Sequence, residues 1–369
     1  MPKALIVLTD LRAGNGTASA IMAYYEGLIN RGYQVDFLLA NNRPIKWAEV
    51  IEYSGSKIHY LKRSRTRFGP NAWKSISKVF NDIDYDIVHV NIVGANASQV
   101  LMIAKRRGVP CRIWHSHNTI YQMNLRSAKG LFNYGCDRLS LRYANRYIAC
   151  SQLAGETRFG SREFLLLRNC IDVASFAFNE ERREALRHAS GIAEDAFVIG
   201  TVARMAEQKN PLFSLQIFES VRRSCPSAIF VWIGDGELRP QIESYVASHG
   251  LKDVVMLLGT QNDVAGWYSV MDCFLLPSHF EGLPVVGVEA QSAGLPVYAS
   301  TMVPQEAAFS PFMRRLSLDE SPDQWAQRII AEQDGFRSTE GVEYAKAAGF
   351  DAAAQMYALA DAYNRFLQY

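Results

Sequence analysis

Residues 277–291 have the sequence PSHFEGLPVVGVEAQ, in which prolines and a glycine separate an apolar run from a helical pattern. The run before them, Cys273–Leu276, is typical of a buried strand, and it ends at Pro277 because proline cannot donate to a strand ladder. Helical spacing begins at Val285 and stops at Gly294, a residue type that closes helices. The pattern predicts a strand, a tight loop and a helix.

Two carboxylates fall in this segment. Glu281 follows the predicted strand, at the end where open α/β sheets bind ligands, and Glu289 lies about two helical turns further on. Gly282 and Pro284 let backbone amides approach a ligand near a helix start, where the helix dipole favours anions. The loop is therefore suited to a sugar phosphate. The alternative is that one glutamate starts a helix and the other faces solvent.

The string Ser-x-x-Glu-Gly-Leu-Pro from Ser278, followed by Glu289, resembles the motif of the retaining, nucleotide-sugar-dependent glycosyltransferases of family 4. These enzymes have the GT-B fold, and many of them assemble bacterial exopolysaccharide, capsule or O-antigen. In that family the first glutamate contacts the hydroxyls of the donor sugar and the second contacts the ribose. The resemblance implies these roles for Glu281 and Glu289, and it places Gly282 and Leu283 in the donor site.

The overall composition is that of a soluble globular protein. The 369 residues suffice for two domains with full cores, and 49% of them are hydrophobic and 21% charged. No apolar run reaches the roughly 18 residues of a membrane span, and the chain opens on a strand pattern instead of a signal peptide. The six cysteines are scattered without a C-x-x-C pair. We therefore expect a cytoplasmic protein with buried free thiols.

Charge is divided unevenly along the chain. Residues 1–170 hold 24 Lys and Arg against 11 Asp and Glu, whereas residues 171–369 hold 15 against 26. The basic clusters lie at 57–67, 105–107 and 126–146. Each cluster alone is explained by a solvated surface, but together they predict contact with an anionic membrane surface or a phosphate-bearing acceptor. No nucleic-acid-binding motif accompanies the charge, so no nucleic-acid partner is expected.

Strand and helix patterns alternate along both halves of the chain, which is typical of parallel sheets covered by helices. Strands are predicted at 4–9, 35–40, 58–61, 87–91, 112–115, 147–150, 197–202, 228–234, 254–259, 273–276 and 297–300. Helices are predicted at 17–30, 72–80, 98–107, 125–143, 212–224, 263–269, 285–293 and 351–367, with a loop or short helix at 302–310.

The sequence therefore predicts an α/β protein with two Rossmann-like domains. Residues 169–172 resemble the Asn-Gly-Ile-Asp turn that enters the second domain in the glycosyltransferase family, with Cys170 in place of the glycine. We expect an acceptor-binding domain at 1–169, a nucleotide-sugar-binding domain at 170–350 and a C-terminal helix at 351–369. The resemblance further implies that the two sheets face each other across a cleft and that the last helix crosses back to the first domain.

A glycine loop follows the first predicted strand. Gly14-Asn15-Gly16 partly matches the dinucleotide fingerprint G-x-G-x-x-G, but the third glycine is missing. Asp36, at the distance expected of an acid for an NAD ribose, begins its strand instead of ending it. An NAD-dependent oxidoreductase stays as an alternative. In the glycosyltransferase family a loop at this place approaches the donor diphosphate and the acceptor, so the resemblance assigns Gly14 and Gly16 to donor binding.

Residues 112–119, RIWHSHNT, contain two histidines two positions apart. Such a pair shares one face of a strand and suits zinc, but no third ligand lies nearby. In the family a histidine of this segment lies beside the donor sugar, and His117 matches its position better than His115. Asp84-Tyr85-Asp86 resembles a D-x-D metal site, yet it directly precedes an apolar strand and is better explained as surface carboxylates. We expect neither a metal nor a cofactor.

Arg204 and Lys209 frame the loop that follows the first predicted strand of the second domain. Two cations that face a diphosphate stabilise the negative charge that grows as the sugar leaves. The Arg-x4-Lys spacing at this place is a family feature, in which both side chains hold the donor phosphates. Gly234 and Gly236 lie in a turn that is similar to the family's Gly-x-Gly, and the resemblance places them in the donor site too.

The combined motifs predict a glycosyltransferase. It would move a sugar from a nucleotide diphosphate donor to a saccharide acceptor carried on a lipid, with retention, and uridine is the base most frequent in the family. The residues expected to act in catalysis are His117, Arg204, Lys209 and Glu281. The alternative from another class is a protein that binds a sugar nucleotide without transferring the sugar. We expect the protein in the cytoplasm or on the inner face of the membrane.

Overall fold

A computed structural model describes residues 1–12, 15–61, 70–81, 83–119, 127–333 and 337–368. The chain divides into two compact units. The first consists of residues 1–170 together with 355–369, and the second of residues 171–354.

The first unit is a seven-stranded parallel sheet covered by helices. Its strands are β1 Lys3–Leu8, β2 Gln34–Leu39, β3 Ile58–Tyr60, β4 Ile87–Val90, β5 Cys111–Ser116, β6 Arg146–Ala149 and β7 Leu165–Leu166. Its helices up to β7 are α1 Gly16–Met22, α2 Tyr25–Asn30, α3 Ala48–Tyr53, α4 Pro70–Val79, α5 Ala95–Arg106, α6 Ala128–Tyr143 and α7 Gln152–Phe159. The strand order β3-β2-β1-β4-β5-β6-β7 is that of a doubly wound fold. The central strands are buried along their length because helices cover both faces of the sheet.

The second unit repeats this plan with six parallel strands. They are β8 Val198–Val202, β9 Ile229–Ile233, β10 Val255–Gly259, β11 Cys273–Leu276, β12 Val297–Ser300 and β13 Met313–Leu316. The helices are α8 Glu180–Ala189, α9 Pro211–Ser224, α10 Arg239–Ser248, α11 Val264–Val270, α12 Val285–Ser292, α13 Pro322–Ala331, α14 Gly341–Ala347 and α15 Ala352–Gln355. Single 3₁₀ turns occur at Val173–Phe176, Glu207–Lys209 and Gln305–Ala307. The strand order is β10-β9-β8-β11-β12-β13, so the chain reverses its direction of winding between β8 and β11.

The last helix, α16 Ala358–Gln368, belongs to the first unit. The hydroxyl of Tyr33 donates a hydrogen bond to Oδ1 of Asn364 at 2.5 Å. The buried Tyr363 shares a 2.8 Å hydrogen bond between its hydroxyl and Nδ1 of His89 on β4. The single helix predicted at 351–367 is two helices, because the chain leaves helical geometry between Gln355 and Ala358.

The structure also differs from the predicted secondary structure at other places. The helix predicted at 17–30 is divided at residues 23–24, where Tyr24 is buried and its hydroxyl donates to the carbonyl of Arg168 at 2.5 Å. Strand β7 was missed because two residues carry too little pattern. Strand β13 was missed because its centre is Arg314-Arg315, as an edge strand allows. Within the described ranges no helix combines the length and the apolar character that crossing a bilayer requires.

Candidate functional site

Three neighbouring strands of the second unit carry the predicted donor-site residues in the loops that follow them. Arg204 and Lys209 come after β8, Gly234 and Gly236 after β9, and Glu281 after β11. These strands lie side by side as β9-β8-β11. Because parallel strands end at one edge of a sheet, the three loops line the same edge, at the point where the winding reverses and open α/β sheets bind ligands.

Lys209 and Glu281 form a shielded ion pair. The Lys209 ammonium lies 2.6 Å from Oε1 of Glu281, and the two side chains are 17% and 5% exposed. Gln208 fixes the pair, since its amide donates to the carbonyl of Phe280 at 3.1 Å and to Oε2 of Glu281 at 3.4 Å. The amide of His279 in turn donates to the carbonyl of Gln208 at 2.8 Å. The structure thus brings together two residues that are 72 positions apart in the sequence.

The backbone turns sharply directly after Lys209. Asn210 has φ 51° and ψ 55°, and it is the one non-glycine residue with positive φ in the described ranges. Pro211 then occupies the first turn of α9. Non-glycine residues in this conformation cost free energy and concentrate at functional sites. Lys209 is the last residue of the 3₁₀ turn, and the conformation of Asn210 therefore holds Lys209 against Glu281.

The glycine turn after β9 packs backbone to backbone against the Arg204 loop. A Cβ at Gly234, whose φ is 122°, would lie 2.2 Å from the carbonyl oxygen of Ala203. A Cβ at Gly236 would lie 2.3 Å from the carbonyl oxygen of Met205. The amide of Met205 donates to the carbonyl of Asp235 at 3.0 Å. Both glycines are therefore required to bring the two loops together, and their contact with a donor stays a prediction.

Arg204 projects from this joined pair of loops. Its side chain is 54% exposed, and its Nη1 lies 3.9 Å from Oε2 of Glu237, which is 61% exposed. An ion pair this long and this exposed contributes little to the stability of the fold. In the described part of the chain Arg204 shares neither a hydrogen bond nor an ion pair with Lys209 or Glu281. Its guanidinium is therefore held only weakly and can turn to an anion at this edge of the sheet.

Gly282 and Leu283 form the bend between Glu281 and α12, and both are buried. The hydroxyl oxygen of Ser278, in the same loop, is buried and has no hydrogen-bond partner among the described residues. A buried hydroxyl without a partner costs about 1–3 kcal/mol. The loop that carries the family motif therefore keeps an unused hydrogen-bonding group.

Glu289 lies on α12 and is held by a tyrosine that the sequence analysis missed. The hydroxyl of Tyr268 on α11 donates to Oε2 of Glu289 at 2.7 Å. Burial, and then the charge of Glu289, raise the pKa of Tyr268 well above its usual value, so the hydroxyl remains a donor at neutral pH. A buried tyrosine hydroxyl usually needs a partner, and that rule could have drawn attention to Tyr268 within its apolar helix.

We expect Tyr268→Phe to weaken donor binding about tenfold while the fold is kept. The change removes a hydrogen bond to a charged group, which contributes about 1.5–3 kcal/mol, and frees the Glu289 carboxylate from its orientation. Calorimetric titration with a UDP-sugar measures the effect. Tyr298→Phe is the matched control, because Tyr298 is equally buried and donates to Oε2 of Glu332 at 3.1 Å. An equal loss in both variants would contradict a specific role.

His117 directly follows β5 in the first unit. Its Nε2 donates to Oδ1 of Asn91 at 2.8 Å, and its ring centroid lies 3.8 Å from that of His115. His115 continues to His89, whose Nε2 lies 3.1 Å from Nδ1 of His115. His115 is only 2% exposed, whereas His117 is half-buried. Of the two candidates, His117 is therefore the one nearer to the surface of its unit.

His89, His115 and His117 are neutral in the folded protein at pH 7. Burial lowers the pKa of His117 to about 4, a hydrogen bond with Asn169 opposing the shift, and burial lowers that of His89 to about 3. In the unfolded chain histidine takes up a proton near pH 6.5. Between pH 6.5 and about 4 the unfolded state therefore binds more protons than the folded state does. The contribution of these histidines to the free energy of unfolding is complete above pH 6.5, and it is lost as the pH falls from 6.5 to about 4.

We expect the free energy of unfolding to fall between pH 7 and pH 5, by up to about 1.4 kcal/mol per pH unit for each buried histidine. Urea titrations followed by tryptophan fluorescence measure the slope. His117→Gln should make the slope shallower, because the variant has one fewer group that is protonated only on unfolding. His249→Gln is the control, since His249 is exposed. An unchanged slope in His117→Gln would show that His117 does not contribute.

Gly14, in the predicted glycine loop, lies outside the described residues. Gly16 begins α1, and no atom of the described residues lies within 4 Å of a Cβ placed on it, so packing among these residues does not require a glycine there. The unpredicted feature is Asn15, whose Oδ1 accepts from the amide of Ala18 at 3.3 Å while its Nδ2 donates to Oδ1 of the buried Asp10 at 2.9 Å. The open space at Gly16 is compatible with the predicted approach of a ligand.

Asp36, the acid that an NAD site would need, has a structural role. It is buried, its Oδ1 accepts from the amide of Lys57 at 2.8 Å, and its Oδ2 accepts from the hydroxyl of Tyr85 at 2.8 Å. Asp86 likewise accepts from the amide of Lys3 at 2.7 Å. Among the described residues, no group of three His, Cys, Asp or Glu side chains has metal-binding geometry. Asp36 is therefore occupied and does not support the oxidoreductase alternative.

Two family models match the chain, one in each unit. Residues 14–157 match "Glycosyltransferase Family 4", and residues 182–331 match "Glycosyl transferases group 1". EpsF of Bacillus subtilis (strain 168), a protein assigned to the glycosyltransferases, is 32% identical over 374 residues, which cover 98% of this chain and 96% of EpsF. The Escherichia coli UDP-Gal:alpha-D-GlcNAc-diphosphoundecaprenol alpha-1,3-galactosyltransferase is 27% identical over 290 residues, which cover 72% of this chain and 74% of that enzyme.

Solved structures with the same fold cover nearly the whole chain. Anabaena Alr3699/HepE, crystallised with UDP and glucose, superimposes with a TM-score of 0.79 and 17% identity over 99% of this chain and 100% of that one. WaaG, a glycosyltransferase involved in lipopolysaccharide biosynthesis, superimposes with a TM-score of 0.75 and 16% identity over 98% and 99% of the two chains. At these identities the likeness concerns the fold alone.

Proposed function

The chain belongs to family 4 of the glycosyltransferases and has the GT-B fold, and from this premise we propose that it transfers a sugar from a UDP-linked donor to a lipid-linked saccharide, with retention. It is an enzyme of polysaccharide assembly. The observation that supports the proposal best is the shielded pair of Lys209 and Glu281 at the sheet edge, beside the loops of Arg204 and of Gly234.

In the proposed reaction the bond between the sugar and the diphosphate breaks, a bond between the sugar and an acceptor hydroxyl oxygen forms, and the proton of that hydroxyl passes to an oxygen of the leaving diphosphate. Negative charge grows on the leaving diphosphate, where Lys209 and Arg204 stabilise it. Glu281 holds Lys209 in place and accepts a hydrogen bond from the donor sugar. Positioning and charge stabilisation supply most of the rate. His117 contacts the sugar, and Glu289 binds the ribose.

The turn and helix start after β11 complete the proposed donor site. Gly282 and Leu283 present backbone amides at the start of α12, where the helix dipole favours a phosphate. Gly234 and Gly236 bring the backbone of their turn close to the diphosphate. The resemblance assigns Gly14 and Gly16 to donor binding as well. No metal or cofactor takes part in this proposal.

The donor base and the acceptor are proposed from the relatives. The Escherichia coli relative uses, by its name, UDP-Gal and an acceptor on diphosphoundecaprenol. We extend to this chain the uridine base and an acceptor carried on a lipid diphosphate, but not the particular sugars. A lipid-linked acceptor places the reaction at the inner face of the membrane.

Nucleotide release tests the proposal. The protein is incubated with UDP-glucose, UDP-galactose, UDP-N-acetylglucosamine and GDP-mannose in turn, with and without a membrane extract, and free UDP or GDP is measured. We expect UDP release with one donor, enhanced by the extract, and a heavier lipid-linked product in mass spectrometry. The anomeric coupling of the product in NMR tests retention. Donor binding without release in any combination would support the non-catalytic alternative instead.

A further inference from the structure

A network of buried polar contacts crosses the sheet of the first unit and ends at His117. His89 on β4 and His115 on β5 lie side by side, with 3.1 Å between Nε2 of His89 and Nδ1 of His115 and 10° between their ring planes. The ring of His115 packs in turn against that of His117, with 3.8 Å between the centroids. Because His89 is 0% exposed, it can influence a ligand only through its neighbours.

Tyr363 of α16 fixes the direction of the first hydrogen bond in this network. Its hydroxyl lies 2.8 Å from Nδ1 of His89 and has no other partner among the described residues. Burial raises the pKa of Tyr363 well above its usual value, so the hydroxyl keeps its proton at neutral pH. A buried hydroxyl proton without an acceptor costs free energy. We therefore assign Tyr363 as the donor and Nδ1 of His89 as the acceptor.

The tautomers of the two buried histidines follow from this assignment. A neutral imidazole carries one proton, on either Nδ1 or Nε2. Nδ1 of His89 accepts from Tyr363, so His89 has its proton on Nε2 and donates to Nδ1 of His115. His115 must then carry its own proton on Nε2, an atom that is buried and has no partner within the described ranges. One hydroxyl on α16 thus determines the protonation pattern of both rings.

Asn91 holds His117 from a second side. Oδ1 of Asn91 accepts from Nε2 of His117 at 2.8 Å, and Nδ2 of Asn91 donates to the backbone carbonyl of His89 at 3.3 Å. His117 therefore has two supports, the ring of His115 and the amide of Asn91, and each support is bonded to His89. The ring of His89 orients one of them, and its carbonyl orients the other.

Stability alone does not explain this network. Burying a polar group is unfavourable unless every hydrogen bond is made, and Nε2 of His115 leaves one donor unpaired in the described part of the chain. Apolar side chains at 89 and 115 would avoid that cost. A side chain that contacts a ligand must, however, be held to within about 0.5 Å by packed and hydrogen-bonded neighbours. The network is therefore better explained by its effect on His117.

We propose that Tyr363 and His89 are positioning residues of the sugar transfer, which together orient His117 against the donor sugar. They act through the ring of His115 and the amide of Asn91. The inference rests on the proposed function, in which His117 contacts the sugar. Tyr363 and His89 are both 0% exposed, so neither touches the substrate. They supply one tautomer and one ring orientation at the end of β5, and His117 does not have to be ordered in each turnover.

Tyr363→Phe tests the start of the network, because it removes one oxygen atom and keeps the ring. We expect kcat/KM for the UDP-sugar donor to fall about tenfold, the factor that one hydrogen bond accounts for, while the Kd of UDP in calorimetry stays unchanged. UDP lacks the sugar, so this difference separates positioning from general damage. Tyr33→Phe is the matched control, since Tyr33 donates to Asn364 of the same helix at 2.5 Å. It should leave kcat/KM unchanged.

Two substitutions of His89 separate orientation from polarity. The amide nitrogen of a glutamine can take the place of Nε2 and donate to His115, whereas that of an asparagine reaches only the place of Nδ1. We expect His89→Gln to keep most of the wild-type rate and His89→Asn to lose about 100-fold, as small misplacements of a contacting group do. Both variants bury an amide at one place, so their melting temperatures should fall alike. Equal rates in the two variants would overturn the proposal.

Nitrogen NMR of selectively labelled histidines measures the tautomers without any substrate. In the wild type we expect a protonated Nε2 and a bare Nδ1 on both His89 and His115. This single tautomer should be lost in Tyr363→Phe and kept in Tyr33→Phe. A protonated Nδ1 on His115 in the wild type would contradict the network.

The wild type separates a failure of this inference from a failure of the proposed function. If the wild type transfers sugar, and Tyr363→Phe and His89→Asn transfer it equally well, the two residues are only structural and the proposed function stands. A wild type that releases no UDP with any donor would reject both the proposed function and the inference that rests on it.

Discussion

Lys209→Ala and Glu281→Ala are each expected to reduce sugar transfer by at least about 100-fold. The loss of one preorganised group that stabilises developing charge typically costs a factor of 10²–10³ in rate. The two side chains are joined at 2.6 Å, so either change also releases the other residue from its position. Initial rates of UDP release under saturating donor measure the effect. Full turnover in either variant would contradict the proposed site.

Loss of stability must be separated from loss of catalysis in these variants. Removing one partner of a buried ion pair leaves an uncompensated charge and costs about 3–5 kcal/mol, whereas replacing both partners by apolar residues is often neutral. We therefore expect Lys209→Met with Glu281→Met to regain the wild-type melting temperature while transfer remains lost. Recovery of transfer in the double variant would mean that the pair is only structural.

A surface ion pair of the same residue types gives the control. Lys346 lies 3.0 Å from Glu343, with side chains 45% and 73% exposed. Exposed pairs of this kind contribute about 0–1 kcal/mol. Lys346→Ala and Glu343→Ala should change neither the melting temperature nor the rate, and a loss of transfer there would show that the assay responds to any change of charge.

The fold could be predicted from the sequence where elements are buried on both sides. Strands such as Cys273–Leu276 and Val297–Ser300 are short apolar runs bounded by turn residues, and the structure has them at the predicted bounds. Elements with one side exposed to solvent were harder to predict from the sequence. Six of the ten residues of helix Glu180–Ala189 are glutamate or arginine, and its few apolar residues are too sparse to show a helical period. The edge strand β13 carries arginines because one of its sides is free of a neighbour.

The candidate site was predictable as a set of residues, but not as a set of contacts. Two separate family motifs indicate Glu281 and Lys209, and nothing in the sequence says that the two residues form an ion pair. Tyr268 and Gln208 were missed because hydrogen bonds between distant residues leave no periodicity. Gly234 and Gly236 are predicted from their similarity to the family's Gly-x-Gly turn, and the packing that requires glycine at both positions is visible only in the structure.

Gly234→Ala is expected to destabilise the second unit by about 2–6 kcal/mol and to abolish donor binding. The residue has φ 122°, and its Cβ would lie 2.2 Å from the carbonyl oxygen of Ala203. Backbone strain of this kind costs about 1–3 kcal/mol and overpacking about as much again. The carbonyl cannot simply turn away, because it accepts a hydrogen bond from Nε1 of Trp232 at 2.9 Å. The Arg204 loop must move instead.

Gly250→Ala separates backbone strain from the clash between the two loops. Gly250 also has positive φ, 66°, but no atom in the described part of the chain lies within 4 Å of a Cβ placed there. Strain alone should then cost about 1–2 kcal/mol, with donor binding unchanged. Urea unfolding followed by tryptophan fluorescence gives the stabilities, and calorimetric titration with a UDP-sugar gives the affinities. Equal destabilisation in both variants would show that the close approach of the Gly234 turn to the Arg204 loop is not what requires a glycine.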